Sequence, residues 1–118
     1  MTTTTDPQAL EAEILSEIAT HKICAFTKGS KAMPRCGFTM QLKQFFDNLG
    51  YPYEFVDVLE NMEKRDKLSQ MTNWPTLPKV FIGGKFYGDT DILDEMVANG
   101  DLETLLKATF DGEAPAQS

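Results

Sequence analysis

The sequence predicts an α/β domain in which one four-stranded mixed sheet is flanked by helices on both faces. Two observations carry this. Stretches with apolar residues at helical spacing alternate with short apolar runs, in the order α-β-α-β-α-β-β-α-α. A strand, helix, strand unit is then followed by two strands joined through Gly83-Gly84, which sets a parallel pair beside a hairpin.

The elements follow in chain order. Asp6-Pro7 offers an N-cap and a proline at the first helical position, and Leu10, Ile14 and Ile18 make the stripe of helix one up to His21. KICAFT is apolar on both faces and reads as a central strand. After KGSKAMPR, helix two carries the stripe Phe38, Leu42, Phe45 and Leu49 and ends at Gly50 as a left-handed cap. YEFVDV is the next strand, and ENMEKRDKLSQM a third, more exposed helix. KVFI and KFY form the hairpin. Asp89 or Thr90 caps a fourth helix ending at Asn99-Gly100, and DLETLLKAT is the fifth. The domain is expected over residues 7–110, between a disordered tail at 1–6 and a flexible tail at 111–118.

A chain of 118 residues suits one core. No apolar run approaches the ~20 residues of a membrane span, so no membrane partner is expected. The opening MTTTTDPQALEAEILSE lacks the basic and apolar regions of a secretory signal, and two cysteines are too few for a disulfide framework. A cytoplasmic, reducing location is the default expectation. The net charge of −7 argues against nucleic acid as partner. Its distribution is uneven: no acid lies between Glu17 and Asp47, an interval that holds Lys22, Lys28, Lys31, Arg35 and Lys43. A positive island surrounds Cys36.

Cys36, in MPRCGFTM, stands at the start of helix two, where unpaired amides and neighbouring cations favour the thiolate, the form that attacks or ligates. Three residues on, where a redox pair carries its second cysteine, stands Thr39. Cys24 lies mid-strand among apolar neighbours and is expected in the core.

TKGS, PRCGFT, NWPTLP and GDTDI, in that order over roughly residues 8–107, resemble a monothiol glutaredoxin, whose usual signature is CGFS. The resemblance implies a thioredoxin-like fold and a groove for glutathione. In that groove Lys28 and Arg65 match the positions that bind the glycine carboxylate, and the Leu77 backbone matches the strand-like partner of the cysteinyl part. Pro78 matches the cis-proline, while Thr90 and Asp91 match the pair that receives the γ-glutamyl end. Asp89 stands where the family commonly has glycine and adds a negative charge beside that end.

A lone thiolate can form a mixed disulfide with an external thiol, or it can bind metal, but Thr39 cannot release a mixed disulfide from within the chain. The resemblance implies a homodimer bridged by one [2Fe–2S] cluster, with Cys36 of each subunit and two glutathiones as ligands. Its partners would be iron–sulfur acceptor proteins and a BolA-like protein. The alternative is a glutathione-dependent thiol–disulfide oxidoreductase with Cys36 as its single catalytic cysteine. A third reading is a module that recruits partners through the groove alone.

Overall fold

The structure, a computed structural model, describes residues 6–110. Of the tails expected at 1–6 and 111–118, residues 1–5 and 111–118 lie outside the described residues. Asp6, one residue before the boundary drawn at 7, is the N-cap of α1 (Pro7–Thr20); its carboxylate accepts the Gln8 amide at 3.0 Å. The chain continues through β1 (Ile23–Thr27), α2 (Gly37–Leu49), β2 (Glu54–Asp57), α3 (Met62–Thr72), β3 (Lys79–Ile82), β4 (Lys85–Gly88), α4 (Thr90–Ala98) and α5 (Asp101–Thr109).

The sheet order is β2-β1-β3-β4. β1 is parallel to β2 and antiparallel to β3, and β3 and β4 form the predicted hairpin. Gly83 and Gly84 both have positive φ, 60° and 84°, which a tight two-residue connection requires. Gly50 closes α2 at φ 84°, as the sequence predicts.

Each face of the sheet has its own core. Leu42, Phe46, Leu93, Leu102 and Leu106 bring α2, α4 and α5 onto Ile23, Ala25, Val80 and Ile82. Ile14, Ile18 and Leu68 bring α1 and α3 onto Cys24, Phe26 and Phe81. Each covered Val, Leu, Ile or Phe side chain contributes about 1.5–3 kcal/mol relative to exposure, so these two layers fix the helices on the sheet.

Two local expectations change. Phe38 is 63% exposed, because the inward row of α2 runs through Thr39, Leu42 and Phe46 and leaves Phe38 outside. The third helix buries more than its polar composition suggests, with Lys64 as well as Leu68 covered against α1.

The register also decides where function can sit. Thr27 pairs with Asp57, Phe26 with Lys79, and Val80 with Gly88. The ends of β1, β2 and β4 and the start of β3 therefore meet at one end of the sheet. The Gly83-Gly84 turn lies at the other end, where the Gly83 amide donates to the Lys22 carbonyl at 2.8 Å.

Candidate functional site

The loop from β1 to α2 is tied down by its own backbone. The Arg35 amide donates to the Lys28 carbonyl at 2.9 Å and the Ser30 amide to the Met33 carbonyl at 3.1 Å. Asp57 Oδ1, at the end of β2, accepts the Gly29 amide at 2.9 Å and the Leu59 amide at 3.0 Å. Gly29 has φ +96°, and a Cβ there would come within 2.4 Å of the Arg35 nitrogen and the Met33 oxygen, so no larger residue fits. This clamped loop delivers Cys36 to the N-cap of α2.

Cys36 is half-buried, with Sγ 3.3 Å from Oγ1 of the fully buried Thr39. Partial burial opposes ionisation of the thiol. It is outweighed by the Thr39 hydroxyl, the Thr39 and Phe38 amides and the Lys28 charge, which hold the thiol below its ordinary value. The assisting cation is thus Lys28, while the adjoining Arg35 is exposed. Cys24 is the opposite case: burial, reinforced by Glu17 and Glu54 and partly offset by Lys64, pushes its thiol up to about 12. Thr39→Val keeps the shape and removes the hydroxyl, so the pH midpoint of Cys36 alkylation by iodoacetamide should move upward. An unchanged midpoint would show that the hydroxyl does not stabilise the thiolate.

The other sequence-predicted residues arrive at the same sheet end. Lys28 follows β1, and Arg65 lies in the first turn of α3; both are half-buried. Neither pairs with a carboxylate among the described residues. Arg65 Nη1 donates to the Leu59 carbonyl at 3.1 Å and lies 3.4 Å from Met62 Sδ, and its other N–H groups have no hydrogen-bond partner among the described residues. The Leu77–Pro78 peptide is cis and leads into β3. Thr90 opens α4 behind the N-cap Asp89, whose Oδ1 accepts the Asp91 amide at 3.2 Å; the Asp91 side chain is exposed.

Sequence reasoning missed two residues here. Asp57 clamps two loops, and its only signal is an acid closing a strand. Lys79 is 1% exposed, and its ammonium donates to the carbonyls of Trp74 and Thr76, the latter at 2.7 Å. Its signal is a lysine directly before the apolar run Val80, Phe81 and Ile82.

A glutaredoxin family model matches residues 23–87. A monothiol glutaredoxin of Synechocystis sp., described as uncharacterized and ycf64-like, is 39% identical over 100 residues, covering 85% of this chain and 94% of that protein. The chain belongs to the monothiol glutaredoxin family. Glutaredoxin 4 of Escherichia coli is 37% identical over 97 residues, covering 82% of this glutaredoxin and 84% of that one. A solved buckwheat glutaredoxin–glutathione complex superposes with TM-score 0.78 at 25% identity, over 92% of this chain and 96% of that one. The glutaredoxin has the thioredoxin-like fold that the motifs implied. Among its described residues no helix is long and apolar enough to cross a membrane, and no cluster of three His, Cys, Asp or Glu residues could hold a metal ion.

Proposed function

We propose that this glutaredoxin binds glutathione beside Cys36 and carries a [2Fe–2S] cluster as cargo between two subunits, for transfer to iron–sulfur acceptor proteins. The observation that carries this reading is the single accessible thiol: Cys36 favours its thiolate, while the chain's other cysteine, Cys24, is sealed in the core. Such a cluster takes four thiolates. Cys36 from each of two chains supplies half of them, and a thiol bound beside each supplies the rest, so the donor set fits a homodimer with two glutathiones. A BolA-like protein is the candidate to replace one subunit. The two cysteines, neither in a disulfide, suit a reducing compartment, for which we propose the cytoplasm.

The glutathione site has chemical support of its own. Lys28 and Arg65, which pair with no carboxylate among the described residues, suit the glycine carboxylate. The backbone of Leu77, held by the cis bond to Pro78, suits the cysteinyl part. The amides of Thr90 and Asp91 open a nine-residue helix and suit the γ-glutamyl carboxylate, and the exposed Asp91 side chain suits the amine. The buckwheat relative was solved with glutathione bound. Asp89 already occupies the Asp91 amide, so Asp89→Gly should tighten glutathione binding roughly three- to tenfold in calorimetric titration. A weaker complex would mean that the carboxylate does not compete with the ligand.

The direct test is anaerobic reconstitution with iron, sulfide and glutathione. The wild-type protein should gain visible absorption and sediment as a dimer only when glutathione is present. A colourless monomer would overturn the carrier reading. The lowered Cys36 thiol also favours a second activity, removal of glutathione from protein thiols. The Cys36 thiolate would attack the glutathionyl sulfur of the mixed disulfide and release the protein thiolate. A second glutathione thiolate would then attack the Cys36-bound glutathione, freeing Cys36 and forming oxidised glutathione. A glutathione-coupled disulfide assay reads this activity directly.

A further inference from the structure

We propose that Lys79 is a positioning residue for the ligand-facing edge, fixing and polarising the Thr76–Leu77 peptide from behind so that the Leu77 amide is presented as a strong donor. The inference rests on the glutathione reading above and deepens it.

Lysine is almost never fully buried without an anionic partner. Lys79 is 1% exposed and has no carboxylate partner among the described residues; its ammonium is held by the carbonyls of Trp74 and Thr76. Stability gives no reason for it. A buried charge is costly, and an apolar residue of similar length would extend the covered run of Val80, Phe81 and Ile82. Burial accordingly pushes the ammonium down to about 8, which still leaves it mostly protonated at neutral pH.

The geometry supplies the reason. Prolines at 75 and 78 remove two amides from this segment, leaving those of Thr76 and Leu77 beside the cis bond. The Leu77 amide forms no hydrogen bond among the described residues. The Thr76 carbonyl that accepts from Lys79 belongs to the same peptide group as that amide. A charge-assisted bond at the oxygen draws electron density across the peptide and strengthens its N–H as a donor. The bond to the Trp74 carbonyl has no such outlet, since the nitrogen of that peptide is Pro75. It anchors the preceding residue and fixes the angle at which the Thr76–Leu77 peptide is offered.

Glutathione affinity of the reduced protein is to be measured by calorimetry for the wild type, Lys79→Met and Lys79→Gln. The Leu77 amide resonance and the pH profile of Cys36 alkylation are followed in each. Lys79→Met should weaken glutathione about tenfold and shift the Leu77 amide proton upfield, with the alkylation profile unchanged. Lys79→Gln, which keeps a donor without the charge, should fall between; should Lys79→Met fail to fold, Lys79→Gln decides. A folded variant with wild-type affinity and an unmoved Leu77 resonance overturns the inference and leaves the glutathione reading standing. A wild-type protein that binds no glutathione at millimolar concentration overturns both.

Discussion

Reconstituted anaerobically with iron, sulfide and glutathione, Cys36→Ser is expected to remain colourless and monomeric, and the same variant should show no glutathione-coupled turnover. Serine keeps the size and the N-cap geometry, so the loss reads the sulfur and not the fold. The effect should be complete because no other group can take over. Cys24 is fully covered on the α1/α3 face of the sheet, with its thiol pushed up to about 12. Thr39 offers only a hydroxyl, 3.3 Å from Sγ. Cys24→Ala serves as the control and should retain both colour and turnover. A coloured Cys36→Ser dimer would remove the thiolate from the centre of the proposal.

Lys64→Ala should be the most destabilising single change outside the hydrophobic layers. The Lys64 ammonium lies 2.7 Å from Glu13 Oε2 and 2.8 Å from Glu17 Oε1, and it stands over the Phe26 ring, 5.9 Å from its centre. Burial alone would lower the Lys64 value, but the two carboxylates outweigh it and hold the ammonium above the ordinary range. Its contribution is therefore fully present at neutral pH and fades only as the pH rises beyond that range. Removing one partner of a buried pair costs about 3–5 kcal/mol; because Glu13 is half exposed, the lower end applies here. A loss of about 3 kcal/mol corresponds to a fall in Tm of roughly 10–20 °C for a domain of this size. Lys64→Met combined with Glu17→Leu should recover most of the loss, since it removes the stranded carboxylate along with its partner. A drop of only about 2 °C in Lys64→Ala would show that the clip contributes little. The clip also bears on function, because it seats the first turn of α3 and with it Arg65.

Much of the fold was legible because its signals are local. Asp6-Pro7, Gly50 and Gly83-Gly84 each announce a boundary through backbone chemistry that neighbouring residues cannot alter, and Cys36 could be placed at a helix start from the stripe that follows it. Long-range side-chain contacts were not legible. Lys64 looks like any solvated helix lysine until α1 brings Glu13 and Glu17 from about fifty positions away. Lys79 was invisible for another reason: its partners are carbonyl oxygens, which every residue has and no side-chain pattern marks. Phe38 was misread because the period fits either row of α2, and only the sheet decides which faces inward.

The sealing of Cys24 also governs how the protein meets peroxide. Sulfenic acid formed at Cys36 has no resolving thiol in its own chain, so its escape from sulfinic and sulfonic damage depends on capture by a small thiol from outside. The survival of this sulfur under oxidative attack is therefore set by the cell's supply of soluble reductant and not by any safeguard within the polypeptide.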